Sequence, residues 1–329
     1  MKKIGKIALG IVIVLVSVLI LVRFYFCIRY HSFYANASYE TKIAGLADQL
    51  IVQGFTREDD YGVSLESGYM KDGSVSRIYV IDHESKKSSY VLLKDADGAD
   101  YTGHGGGITA ANGYVYLCGY DNDILVYSMQ DILDASKSKG TYVTPVGSFE
   151  TGTTTSCCFA DENYLWVAEF YREENYPTDE SHHLTCPNGE ENKAIALCYS
   201  LDTGKDLGID PVPVKALSLP GLVQGICVTE SGKIAISCSY AIATSHLKLY
   251  ELNSSADSEF TVVSRERENT VPLWYLCEEN CVGDIENPPM SEDLDYVDQR
   301  VCIMYESATS KYIFGNLYDG MYVYSYPVE

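Results

Sequence analysis

A unit that recurs along the chain constrains its fold more than any other feature. The clearest copy is residues 224–253, QGICVTESGKIAISCSYAIATSHLKLYELN. In it a short apolar strand (225–229) meets a turn carrying Ser231 and Gly232, a second strand covers 233–239, and a third covers 246–252. Third strands of the same texture stand at 76–81 (SRIYVI), 123–128 (DILVYS), 194–199 (AIALCY) and 320–325 (GMYVYS). Each is short, rich in β-branched residues or Tyr, and bounded by Gly, Asp, Asn or Ser, which is how strands read. First strands begin near Gln53, Gly106, Ser156, Gln224 and Ser291, so the copies start roughly 50 to 70 residues apart. Second strands lie at 61–68, 114–119, 164–170, 233–239 and 300–305.

Four-stranded repeats of this kind are propeller blades, because one meander cannot bury both of its faces alone. Fourth strands are expected at 88–93, 141–149, 214–219 and 260–264. The fifth copy has none, and the missing strand is found at the other end: 41–46 followed by 51–55 parallels 214–219 followed by 222–226. Residues 41–46 are therefore expected to supply the outer strand of the last blade and close the ring, leaving no long unpaired edge. The reading is an all-β, five-bladed propeller over residues 41–329. A β-sandwich and a six-bladed ring with one degenerate blade are the alternatives.

The first 30 residues read differently. Residues 7–22 are an unbroken apolar run preceded by Lys2, Lys3 and Lys6 and followed by Arg23 and the aromatic stretch 24–28. Sixteen residues span only about 24 Å of helix against a core of roughly 30 Å, but Arg23 can snorkel and the aromatics suit the interface. Ala35-Asn36-Ala37 resembles a signal cleavage site, yet it lies far beyond the apolar run. The expectation is an uncleaved signal anchor over 1–30 and a short tether over 31–40. Lysines before the span place the N-terminus in the cytoplasm and the propeller outside it, at the cell membrane.

Composition narrows the function. A net charge of −22 and a pI near 4.6 disfavour nucleic acid, whose phosphates would be repelled. Tyr is abundant (28) and Trp scarce (2), and Tyr suits half-buried sheet surfaces with its hydroxyl reaching water. Most of the eleven Cys fall within strands and read as small buried apolar residues. Cys277 and Cys281 form a candidate local pair, by disulfide or redox chemistry. So many unpaired thiols would suit a reducing exterior.

In a meander the connections from strand 4 to strand 1 and from strand 2 to strand 3 share one rim. That rim collects Gln53, His104, Ser156, Gln224 and Glu292 at strand-1 starts, and Tyr69, Tyr120, Glu169, Tyr171, Arg172, Tyr240 and Glu306 at strand-2 ends. His182 and His183 join them on a long insertion, 171–189, of a length that marks function or disorder in a compact domain. The opposite rim carries ordinary turns. Glu169, Glu292 and Glu306 could act as acid, base or cation ligands beside His104. His182, His183 and Cys186 could contribute to a transition-metal site, although adjacent His side chains point apart on extended backbone. The loop 95–100 (DADGAD) lacks EF-hand spacing and reads as an Asp-Gly turn. Gly103-His104-Gly105-Gly106-Gly107 is not an esterase loop, because no Gly-x-Ser-x-Gly elbow exists in the chain.

The repeated Gln-Gly-[Phe/Ile] starts, the SRIYVI-type third strands, the GHGGGI segment (103–108) and PPMSE (288–292) together resemble bacterial membrane-anchored or secreted β-propeller proteins. The resemblance covers 41–326 and implies the architecture and no reaction. The expected function is a membrane-tethered propeller binding a small molecule, glycan or protein on the rim of His104 and Glu292. A hydrolase or lyase using Glu169, Glu292, Glu306 and His104, with a divalent cation as candidate cofactor, is the second reading. A structural envelope protein without a pocket is the third.

Overall fold

The computed structural model describes residues 2–264, 268–312 and 315–329. Five antiparallel sheets stand around an axis, each beginning with its innermost strand. The first blade runs Leu50–Glu58, Val63–Met70, Arg77–Asp82 and Ser88–Leu93. The second runs Ile108–Ala111, Tyr114–Cys118, Asp123–Ser128 and Gly147–Glu150. The third is Cys157–Ala160, Tyr164–Ala168, Ala194–Leu201 and Ile209–Leu219. The fourth is Val223–Val228, Ile234–Cys238, Ser245–Tyr250 and Cys281–Asn287. The fifth is Ser291–Val297, Arg300–Tyr305 and Tyr322–Pro327, completed by Ser38–Lys42.

The ring is thus closed without a covalent join, by a strand from the N-terminal side, a few residues earlier than 41–46. Gly45 explains the offset. It sits at φ 70°, where a Cβ would stand 2.7 Å from the Tyr79 ring and 2.9 Å from Leu50. The chain therefore turns out of the strand there and swings inward to the first blade. The buried Glu66 carboxylate receives the Ala44 N–H at 2.8 Å and pins this crossing.

Two outer strands differ from expectation. Residues 260–264 do not complete the fourth blade. Ser258–Val263 pairs with Glu268–Tyr275, which in turn lies parallel to the outer strand of the third blade. Phe260 and Val262 bury their side chains there with Val271, Leu273, Phe149 and Tyr199, so their alternation is satisfied by a neighbouring sheet. The fourth blade takes Cys281–Asn287 instead, an acidic edge strand with little apolar patterning. The stretch 141–149 is also two strands. Thr141–Val143 joins the first blade in parallel and Gly147–Glu150 completes the second, with Pro145 between them. A helix, Met129–Ser136, precedes this stretch, capped by Ser128 Oγ on the Asp131 N–H and burying Met129 and Ile132.

Glycine explains the recurring Gln-Gly starts. A Cβ on Gly54 would meet the Ile108 nitrogen at 2.8 Å, and one on Gly225 would meet the Glu292 oxygen and the Leu294 nitrogen at 2.7 Å. Neighbouring inner strands approach backbone to backbone, and only Gly leaves room. Asp293 fastens the axis further: its fully buried carboxylate accepts the Phe55 and Ile108 N–H groups, each at 3.2 Å, from two other blades.

Among the described residues one helix, Gly5–Arg29, is long and apolar enough to cross a membrane, and none of its apolar window is buried. Residues 31–40 do not form a free tether. His31–Asn36 is helical, and Phe33 is buried against Tyr324 and Tyr326 of the fifth blade, with ring centroids 5.6 Å away in each case. Tyr34 Oη donates to the Tyr318 carbonyl at 2.6 Å.

Candidate functional site

Inner strands place the site through a shared irregularity. The pairing slips between Val52 and Gly54, between Val223 and Gly225, and between Ser291 and Leu294. The residues inside these bulges are Gln53, Gln224, Glu292 and Asp293, and the first three line the cleft. A bulge re-aims a side chain, and here three are turned towards one cleft at the rim. The cleft has a volume of about 970 Å³. Gln53, His104, Gln224, Glu292 and Glu306 line it, with Tyr69, Tyr120, Tyr240 and Tyr312 among its aromatic walls.

Two carboxyls occupy its depth. Gln53 Nε2 donates to Glu306 at 3.1 Å, and Gln224 Nε2 reaches Glu292 at 3.5 Å. Glu292 and Glu306 hydrogen-bond each other. Burial, then the charge of Glu306 and of Asp293 behind it, push Glu292 well above the usual carboxylate range, with Lys311 opposing. Burial raises Glu306 as well, against the pull of Lys311. Two carboxyls this close in a desolvated site resist ionising together, and a proton shared between them relieves their repulsion.

Lys311 supplies the positive charge. Burial works against its ammonium, but hydrogen bonds to the hydroxyls of Tyr69 and Tyr312 outweigh it, and the group stays charged above its ordinary range. Its bond to Tyr69 Oη is 2.8 Å. The Tyr69 ring also lies 4.7 Å from the His104 ring, tilted by 52°. Burial and then the Lys311 charge lower the His104 pKa, which favours its neutral imidazole.

Other rim residues named from the sequence lie outside the cleft. Glu169 is buried, and its oxygens accept His182 Nδ1 at 2.9 Å, the Ile195 N–H at 3.1 Å and the Thr154 N–H at 3.3 Å. These bonds fasten the insertion to the third blade, and Glu169 does not line the cleft. His182 belongs to that pair, while His183 Nε2 meets Thr178 Oγ1 at 3.1 Å. The Cys186 thiol faces Cys277, so the three do not converge on a metal. Among the described residues no three His, Cys, Asp or Glu side chains do. Tyr171 packs on His183 at 5.5 Å rather than on the cleft. Arg172 borders it indirectly, its guanidinium 4.2 Å above the Tyr240 ring.

Lys311, Tyr312, Phe170 and Tyr176 also line the cleft and are not among the residues singled out from the sequence. Lys311-Tyr312 stands five residues beyond Glu306 in the strand 2 to strand 3 connection, and Tyr176-Pro177 is the aromatic point of the long insertion. Position in those connections was the available signal.

No family model and no curated protein matches the chain. Solved structures do. Glutaminyl cyclase from Myxococcus xanthus shares 10% identity over 89% of this chain and 95% of its own, with a TM-score of 0.44. The PQQ-bound aldose sugar dehydrogenase from Streptomyces coelicolor shares 12% over 82% and 79%, with a TM-score of 0.42. A nidogen/laminin complex shares 9% over 78% and 73%, with a TM-score of 0.42. At identities of 9–12% and TM-scores below 0.5, these likenesses carry no argument about this chain's fold or chemistry.

Proposed function

We propose that this chain is a membrane-tethered propeller, held outside the cytoplasm, whose cleft binds a small hydroxylated ligand such as a carbohydrate. The observation that carries this reading is the Glu292–Glu306 pair, buried beside Lys311 and flanked by the amides of Gln53 and Gln224. Such a cluster offers donors and acceptors in alternation, which suits hydroxyl groups. The Tyr69, Tyr120, Tyr240 and Tyr312 rings offer apolar faces to the C–H side of a sugar ring. The Lys311 ammonium beside a proton-sharing carboxyl pair opposes a divalent cation. The acidic chain supports no nucleic-acid partner. Lys2, Lys3 and Lys6 ahead of the apolar run support an N-terminus in the cytoplasm.

The test is a thermal-shift screen of the full chain in detergent against mono- and oligosaccharides, polyols and amino sugars. A ligand at a hundred times its Kd stabilises by about 2.7 kcal/mol. At least one compound should raise the midpoint, and Glu292→Gln should fold and lose the response. A response unchanged in Glu292→Gln, or none from any compound, refutes the assignment.

The proton-sharing pair favours one further reading, acid–base catalysis by a hydrolase or lyase, in which one carboxyl gives a proton and the other takes one. Hydrogen-bonded carboxyls are closer than the roughly 5 Å or more that glycosidases need, which turns this reading away from ordinary glycoside hydrolysis. Turnover lost in Glu306→Gln with ligand binding retained would support it.

A further inference from the structure

The N-terminal helix and the cleft belong to the same rim. Tyr318 and Asp319 lie in the connection between the second and third strands of the fifth blade, the segment that also supplies Glu306, Lys311 and Tyr312 to the cleft. Arg23 pairs with Asp319 at 2.9 Å, and the Phe26 ring stands 4.6 Å from Tyr318. Arg29 pairs with Glu286 at 2.6 Å and Tyr30 Oη meets Thr244 Oγ1 at 3.1 Å, both in the fourth blade at this rim.

The contacts also give the helix a direction. Phe33 packs at the depth of Tyr324 and Tyr326, inside the fifth blade. Tyr30 is level with the rim, and Arg23 with its loop. Read from Phe33 back to Arg23, the chain climbs from mid-blade to rim, and residues 5–22 project beyond it, none of them buried. Phe24 and Tyr25, both well exposed, fall at the level of the loop, where interfacial aromatics belong. Ile242, Tyr176 and Tyr120 are large exposed side chains on the same rim, at 69%, 50% and 44% exposure.

We infer that the cleft-bearing rim faces the bilayer that holds the helix, and that the cleft takes its ligand from that surface as the uncharged, hydroxylated headgroup of a glycolipid. The docked stretch from Arg23 to Asn36 cannot act as a swivel, because ion pairs, a buried Phe and stacked rings hold it to two blades. Anything entering the cleft then comes from the gap between ring and membrane. The charges within the cleft favour an uncharged headgroup: Lys311 is offset by the carboxyl pair, and Asp121 at the mouth adds a negative charge that repels phosphate. This rests on the helix crossing the membrane and on the cleft binding hydroxylated ligands.

The test uses the full chain in phosphatidylcholine nanodiscs and vesicles. Ile242→Trp places a fluorophore on the inferred membrane side, and Tyr61→Trp places one in the turn of the opposite rim. With headgroup-nitroxide phosphatidylcholine in the disc, Ile242→Trp should be quenched several-fold more than Tyr61→Trp, against the constant background of Trp166 and Trp274. Equal quenching overturns the facing while leaving the span intact. Failure to float with vesicles after alkaline washing overturns the span and the inference with it. Adding glucosyl diacylglycerol to the disc should raise the unfolding midpoint in the wild type and not in Glu292→Gln. No rise, or an equal rise with free glucose, overturns the headgroup assignment, and a rise with free glucose alone leaves the cleft a sugar site of soluble source.

Discussion

Glu66→Gln should make the protein more stable as pH rises, in a defined window. Glu66 is fully buried in the second strand of the first blade, where one oxygen accepts the Ala44 N–H and the other meets no protein partner. Burial raises its pKa from 4.5 to about 8, with the Ala44 hydrogen bond opposing. The folded protein therefore binds a proton that the unfolded chain releases near 4.5. Stability owed to that proton is full below pH 4.5 and declines as pH rises to about 8. A shift of roughly 3.5 units at 1.36 kcal/mol each amounts to roughly 5 kcal/mol above pH 8, of which roughly 3 kcal/mol has been lost by pH 7. Gln keeps an acceptor for Ala44 and never ionises. The difference in unfolding free energy between variant and wild type should thus grow by several kcal/mol from pH 4.5 to 8.5 and then level off. Denaturant unfolding of the full chain in detergent, followed by circular dichroism at four pH values, measures it. The size of the difference at any single pH carries no information, since the amide nitrogen also needs a partner; only its change with pH does. A difference that does not change with pH would refute the argument that Glu66 is buried and protonated where the chain closes the ring.

Phe33→Ala should lower stability by about 3–5 kcal/mol, read by denaturant unfolding, because it empties a buried site between Tyr324 and Tyr326. His182→Ala should cost about 3 kcal/mol by leaving the buried Glu169 without its imidazole partner, while ligand affinity at the cleft stays unchanged in a thermal-shift titration. Gly225→Ala should cost about 1–3 kcal/mol or prevent folding, since the new Cβ meets backbone of the fifth blade rather than a movable side chain. Lys311→Met should move proton release by the Glu292–Glu306 pair to higher pH, because the ammonium lowers both, and the carboxyl band in infrared difference titration reports the shift.

Much of this architecture is legible along the chain. Strand periodicity, turn residues and the recurrence of one texture pointed to five blades, to the rim that gathers Gln53, His104, Gln224, Glu292 and Glu306, and to closure from the N-terminal side. These follow from local chemistry: β-branched and aromatic residues between turn formers make strands, and a meander sends alternate connections to one rim. Edges were decided elsewhere. Ser258–Val263 left the fourth blade for the third because its apolar face found burial there, and Cys281–Asn287 became an edge strand despite weak patterning. A strand on a half-exposed edge owes its place to the neighbour it pairs with, and that neighbour is distant in sequence. The same holds for function-bearing groups. Glu169 and Glu306 look alike in the sequence, each at a second-strand end. Packing gave Glu169 an imidazole and two backbone donors, and gave Glu306 another carboxyl, an ammonium and an open cleft. Desolvation and charge proximity decide what a carboxyl can do, and both depend on which blades stand side by side.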